Sequence, residues 1–196
     1  MLSPRRILVA VPCAAFAALA LAIVPAAQAD VVSVSACNSN ALNQVFSPWV
    51  DPAYYELAPG GDFASNAWSL SGGAQVVSGG PAYAAPGATG GSALSLPAGS
   101  SATSPSTCVN AAYPDIRFFV AGTGSVQVSV VYGDTVIPSG VVPAGGSWAP
   151  GPVTVTGSAI EGAINGGTAQ VSIVLSALSG NPLVDDVYID PWHGCC

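Results

Sequence analysis

Two stretches of this 196-residue chain constrain its fold more than anything else: "SVQVSVVYGD" and "AQVSIVLSA". In the first, Val126, Val128 and Val130 alternate with Gln127 and Ser129. In the second, Val171, Ile173 and Leu175 are set against Ser172 and Ser176. A twofold rhythm sends successive side chains to opposite sides of an extended backbone, so both runs predict strands with one buried face. "PVTVTG" and "SALSLPAG" repeat the habit in shorter form, and the glycine pairs in "PGGD", "SGGA", "SGGP", "TGGS", "AGGS" and "NGGT" punctuate it as turns. The one helical candidate, "SAIEGAING", carries two internal glycines and predicts a turn or a single helical turn at most. Many short strands with Gly/Pro-rich turns pack as a β-sandwich or a barrel. Phe63, Trp68, Phe118, Val128, Val130, Val171, Ile173 and Val187 are its expected core.

The N-terminus reads as a secretion signal. Arg5 and Arg6 precede the apolar run "ILVAVPCAAFAALALAIV", and "PAAQA" ends in the small-residue pattern Ala27-x-Ala29. Residues 1–29 are therefore an expected cleaved signal peptide, the protein is secreted, and no membrane span is expected after cleavage. Loss of Arg5 and Arg6 leaves Arg117 as the sole cation against ten acidic residues, moving the formal charge from −7 to −9. A surface this acidic repels phosphate backbones and anionic lipid, which excludes nucleic acid and membrane surfaces as expected partners. Residues 30–192 suit one domain, with 193–196 as a tail. "SLPAGSSATSPSTC" has a linker's composition, but the favoured disulfide spans it.

Four cysteines survive cleavage: Cys37, Cys108, Cys195 and Cys196. Export favours pairing. The favoured bridge is Cys37–Cys108, a 71-residue separation worth about 4 kcal/mol in the chain-entropy account. The alternative sends Cys37 and Cys108 separately to the last two residues, which asks two neighbouring positions to reach two different partners. In the favoured arrangement Cys195 and Cys196 remain for a vicinal disulfide or an intermolecular one. Zinc or copper at "DPWHGCC" lacks a second ligand cluster.

Catalytic machinery is sparse. A Ser–His–Asp arrangement would have to use His193, four residues from the chain's end, and nucleophile and base need rigid placement. Glu56 and Glu161 are the only glutamates and neither has a suggestive setting. No lysine or strand–glycine–helix context supports a phosphate loop.

Two kinds of residue remain as candidates. In "LVDDVYID", strict alternation puts Leu183, Asp185, Val187 and Ile189 on one face and Val184, Asp186, Tyr188 and Asp190 on the other, with the last strand at about Leu183 to Ile189. A carboxylate on an apolar face is paired, hydrogen-bonded, metal-bound or protonated. Three readings stay open: a solvated start of the strand after "SGNP" or a backbone hydrogen bond, an ion pair with Arg117, or a structural Ca²⁺. Among the aromatics, Trp49, Tyr54, Tyr55, Trp68, Tyr83, Trp148 and Trp192 could line a ligand face. Trp68, opening "WSL", is expected in the core. Tyr83 in "GGPAYAAPG" and Trp148 in "AGGSWAPG" sit where burial is hardest and are the ligand-binding candidates.

"LAPGGDFASNAWSLSGGAQV" is similar to the opening of extracellular jelly-roll carbohydrate-binding modules, through Gly61, Asp62, Phe63 and Trp68. "LVDDVYID" resembles their last strand. Taken whole, the chain also looks like short secreted actinobacterial proteins. The resemblance implies an all-β fold, a two-sheet antiparallel β-sandwich of the jelly-roll kind, and a structural calcium flanked by Asp62 and by Asp185 or Asp186. The chain departs from the pattern at Ala64, where the modules carry a glutamate. The functional expectation is a secreted, non-catalytic module for extracellular or cell-wall glycan, with no cofactor beyond such a calcium. The alternative is a structural or adhesive surface protein cross-linked through Cys195 or Cys196.

Overall fold

The computed structural model describes residues 41–83 and 85–191. The signal segment, Cys37, Trp192, His193, Cys195 and Cys196 lie outside the described residues. Among the described residues, no helix is long and apolar enough to cross a membrane.

The fold is all-β. Its strands are β1 (Glu56–Leu57), β2 (Ser69–Ser71), β3 (Gln75–Ser78), β4 (Ser92–Ser95), β5 (Ser101–Thr103), β6 (Thr107–Val109), β7 (Asp115–Tyr132), β8 (Thr135–Pro143), β9 (Gly146–Pro150), β10 (Thr154–Val155) and β11 (Ala169–Asp190). All pairings are antiparallel. Short 3-10 turns occupy Ser47–Trp49 and Glu161–Gly166; the second is broken by extended Ile164 and left-handed Asn165, as its glycines lead one to expect.

The ladder between β7 and β11 organises everything else. It runs from Ser172 opposite Val131 to Asp190 opposite Asp115. One face is buried toward a single core at both ends: Ile116, Phe118, Val120, Val126, Val128 and Val130 on β7, and Val171, Ile173, Leu175, Val184, Val187 and Ile189 on β11. A flat ribbon cannot bury both ends of one face in one cluster. The ladder must curl, and the other strands dress its edges: β8, β9 and β10 on β7, and β1, β4, β5 and β6 on β11. The result is a two-layered antiparallel sandwich of the jelly-roll kind, its layers joined because β7 and β11 run through both. Phe63 and Trp68 complete the core, and the Trp68 indole donates to the Pro59 carbonyl at 3.0 Å.

The bend lies where Gly122 and Gly124 face Pro182 and Gly180. Gly122, Gly124 and Gly180 all have positive φ. A Cβ on Gly124 would fall onto the Ser179 carbonyl, and one on Gly180 onto the Thr123 carbonyl. Only glycine fits such a close approach. The expected last strand at Leu183–Ile189 is therefore too short. "SGNP" is not a turn but a bent, still-paired part of β11, since Ser179, Gly180, Asn181 and Pro182 all have partners on β7.

A second apolar cluster lies on the outer face of the same ladder. Phe119 of β7 and Tyr188 of β11 are covered there by Val45, Phe46 and Tyr55 from the segment before β1, and by Ala85 from the β3–β4 loop. This covered outer face carries the candidate site.

Candidate functional site

Two segments are fastened onto the outer face, and each brings an aromatic side chain. The first is residues 43–55. Asn43 and Tyr55 exchange backbone hydrogen bonds at 2.9 Å in both directions. Inside this loop Asp51 accepts from the Ala53 amide at 3.1 Å, from the Tyr55 hydroxyl at 2.9 Å and from Arg117 Nη1. Arg117 points outward from β7, donates Nε to the Gly151 carbonyl at 2.9 Å and lies 4.5 Å over the Phe46 ring. Burial pushes the Asp51 carboxyl up. The bonds from Ala53 and Tyr55 and the Arg117 charge outweigh it and hold the group below its ordinary value. Burial and the Asp51 charge push the Tyr55 hydroxyl up. This network seats the turn Ser47–Trp49, which Pro48 helps to start.

The second segment is the β3–β4 loop, residues 79–91. Its ends are tied by the Gly79 amide to the Gly91 carbonyl at 3.2 Å. Its middle folds back over β11. The Tyr188 hydroxyl donates to the Pro86 carbonyl at 2.6 Å, and the Thr89 hydroxyl and amide donate to Asp62 Oδ2 at 2.7 and 3.2 Å. The Tyr83 hydroxyl reaches the Val45 carbonyl at 3.5 Å, a long contact that links the two segments.

Between them lies a cleft of about 430 Å³ walled by Trp49, Tyr83, Phe119 and Trp148, with Gly80–Ala82 and Ala149–Pro150 completing it. Trp49 meets Tyr83 edge-on with centroids 4.9 Å apart and meets Phe119 at 5.4 Å; Tyr83 meets Phe119 at 5.7 Å. Trp148 projects from β9, whose Pro150 pairs with Phe119. The structure thus brings Tyr83 and Trp148 into one cleft. Trp49, named only as one aromatic among several, joins them, and Phe119 was missed because it sits in an unbroken apolar run. Val50, beside Trp49, is 95% exposed and left-handed at φ 62°, a strained setting for a β-branched residue.

The aspartate doublet departs from the strict alternation. Asp185 faces Phe119 across the ladder and Tyr188 faces Arg117, so Asp186 and Val187 together oppose Phe118. This is a β-bulge, with Asp186 left-handed at φ 51°. The extra residue changes the parity of the strand: Val184, Val187 and Ile189 face the core, while Asp185 and Tyr188 face outward under the covering loop. The turn at Ala58–Phe63 locks the bulge, with the Ala58 amide on the Val187 carbonyl at 2.9 Å and the Val187 amide on the Gly61 carbonyl at 3.0 Å.

Neither aspartate marks a solvated strand start. Asp185 is 0% and Asp186 2% exposed. Nor is Arg117 their partner, since Asp51 holds it. Asp185 Oδ1 accepts from the Asp186 amide at 2.8 Å, the backbone-bond option. Among the described residues, Asp185 Oδ2 and Asp186 Oδ1 have no hydrogen-bond partner. Burial, then the Asp186 charge, pushes the Asp185 carboxyl up to about 8; burial, then Asp62, pushes Asp186 up to about 6. Both aspartates line a recess of about 170 Å³ that shares Pro81, Ala82 and Tyr83 with the aromatic cleft.

Asp62, Asp185 and Asp186, the expected metal set, are not gathered as three carboxylates around one point. Among the described residues, no three His, Cys, Asp or Glu side chains come together to hold an ion. Asp62 already accepts from Ala64 through Oδ1 and from Thr89 through Oδ2. Cys108 is disulfide-bonded, and every cysteine it could pair with in this chain lies outside the described residues.

No protein-family model matches the sequence, and no curated protein matches it. Solved structures do resemble it. A β-1,3-glucan-binding family 6 carbohydrate-binding module from Bacillus halodurans is similar at a TM-score of 0.44 and 16% identity, over 72% of this chain and 97% of that one. The C-terminal family 6 module of a marine laminarinase from Zobellia galactanivorans gives 0.43 and 14%, over 66% and 94%. The family 11 module of a cellulosomal cellulase from Clostridium thermocellum gives 0.40 and 10%, over 71% and 95%.

Proposed function

We propose that this is a secreted, non-catalytic binding module that holds an extracellular or cell-wall glycan in the cleft of Trp49, Tyr83 and Trp148. The observation that carries the reading is the convergence of three half-buried aromatic side chains, 34 and 65 residues apart in sequence, on one concave wall. Flat π-faces in a cleft accept the CH-rich faces of sugar rings, and a cleft of this volume is of ligand size. Among the described residues that line it, the wall carries no carboxylate, imidazole, thiol or aliphatic hydroxyl side chain, which supports a binding role over a catalytic one.

The experiment is retention of the secreted protein on a panel of insoluble polysaccharides and cell-wall preparations, with Trp148→Ala alongside. The expected result is retention of the parent protein on at least one glycan and its loss in the variant. Failure of the parent protein to be retained on any of them would end the reading.

A further inference from the structure

The recess beside the cleft presents carboxylate oxygens that no cation among the described residues meets. Among the described residues, the buried side-chain atoms there without a hydrogen-bond partner are Asp185 Oδ2 and Asp186 Oδ1. The other described residues of the wall are proline, alanine and glycine, apart from Tyr83 and a Thr89 hydroxyl already given to Asp62. The mature chain has no lysine, and Arg117 is committed to Asp51, Gly151 and Phe46.

Three kinds of guest can be compared. A calcium ion takes six to eight oxygens, and the recess presents two free carboxylate oxygens with no third carboxylate in reach. A neutral hydroxyl brings lone pairs as well as a proton, and those would face acceptors. A primary ammonium has three donors and no acceptor, matching the two carboxylate oxygens, and its charge favours their ionised form over the protonated form that burial favours. Tyr83 borders both recess and cleft, so a guest held in one lies beside the other. Gly80 keeps the cover thin, since a Cβ there would lie 2.6 Å from Asp185 Oδ2.

We infer that Asp185 and Asp186 receive the ammonium of an amino sugar, so that the glycan held in the adjoining cleft is one bearing free amines. The inference rests on the glycan reading of that cleft and narrows it to a substrate class.

The test is calorimetric titration at pH 7, above the Asp186 value of about 6, in the presence of EDTA, comparing a glucosamine hexamer with its fully N-acetylated counterpart. Parent protein, Asp185→Asn, Asp186→Asn, Trp148→Ala and the surface control Asp134→Asn are titrated side by side, with thermal melting confirming that each is folded. The expected result is at least tenfold tighter binding of the free-amine oligomer. That gain should disappear in both doublet variants, survive Asp134→Asn, and vanish together with all binding in Trp148→Ala. Equal affinity for the two oligomers overturns the amine assignment and leaves the glycan reading standing. A gain that survives both doublet variants assigns it to general attraction of a polycation and also overturns it. Calcium alone, titrated without EDTA or glycan, overturns it if the ion raises the melting temperature of the parent protein but not of the doublet variants. Absence of binding to either oligomer, together with no retention on any polysaccharide, removes both readings.

Discussion

Arg117 and Asp51, 66 residues apart in the chain, form the ion pair that fastens the Trp49 segment to the outer face of β7. Its guanidinium is also hydrogen-bonded to Gly151 and stacked over Phe46, so removing it leaves several groups unmatched at once. Arg117→Ala is expected to lower unfolding free energy by about 3 kcal/mol, the usual cost of stranding one member of a buried pair. Urea unfolding measures it. A loss below about 1 kcal/mol would mean that the segment is held by its apolar contacts alone.

The two buried carboxyls set a pH dependence of opposite sign to the usual acid denaturation. The groups that face them are Asp62 from the turn, Tyr83 from the covering loop and Tyr188 on the same strand. In the unfolded chain an aspartate ionises near 3.8; folded, Asp185 does so at about 8 and Asp186 at about 6. Between those values the folded state holds protons that the unfolded state has released, so their contribution is full below about pH 4 and is lost as pH rises to 8. The urea midpoint is expected to fall from pH 5 to pH 8, and the fall should flatten in Asp185→Asn. An identical slope in that variant would show that other groups govern it.

Two tryptophans separate stability from binding. Trp68 is packed in the core against Phe63, with ring centroids 5.2 Å apart, and its indole is hydrogen-bonded to Pro59. Trp68→Ala is expected to cost about 3–5 kcal/mol. Trp148 is half-buried at the mouth of a cleft, and Trp148→Ala should cost less than about 1 kcal/mol while lowering glycan affinity at least tenfold. Denaturant titration and binding isotherms on the same preparations distinguish the two. Reversal of the pattern would place the ligand elsewhere.

How far the sequence was readable follows from where local rhythm suffices. Val171 to Leu175 keep strict parity in burial, and Val126, Val128 and Val130 are buried as expected, although Ser129 between them is buried too. Parity fails at Asp185–Asp186 because a bulge inserts one residue, and nothing in "LVDDVYID" marks an insertion that is imposed by the turn docking through Gly61 and Val187. Gly122, Gly124 and Gly180 read equally well as turns or as bends within a continuing strand; only the pairing partner decides. Tyr83 and Trp148 stood out because aromatics in Gly/Pro loops are hard to bury. Their meeting with Trp49 depends on Asp51–Arg117 and Asp62–Thr89, contacts that no local pattern encodes.

Cys108 sits on β6 opposite Gln170 and is disulfide-bonded. The sequence favours Cys37 as its partner, a bridge that would staple the chain ahead of the Trp49 segment to β6. Peptide mapping without reductant should recover a fragment pair joining Cys37 to Cys108. Cys108→Ala should then destabilise the protein by about 4 kcal/mol, the value of closing a loop of that length. A fragment joining Cys108 to Cys195 or Cys196 would instead tie the C-terminal tail to β6 and remove the staple.

The sharpest test of the curled ladder is its bend. Gly124 has φ 94°, and its missing side chain leaves room for the Ser179 carbonyl of the opposite strand. Gly124→Ala meets both a backbone conformation that L residues avoid and a direct clash with main-chain atoms that cannot rotate away. The expected loss is at least about 2 kcal/mol, more than a surface glycine would give. Gly133, also at positive φ but with open space around its Cβ position, is the control for strain alone, and its Ala variant should lose about 1 kcal/mol. Equal losses at the two sites would mean that the strands part easily at the bend. The two layers would then be held by the core between them and not by the continuity of β7 and β11.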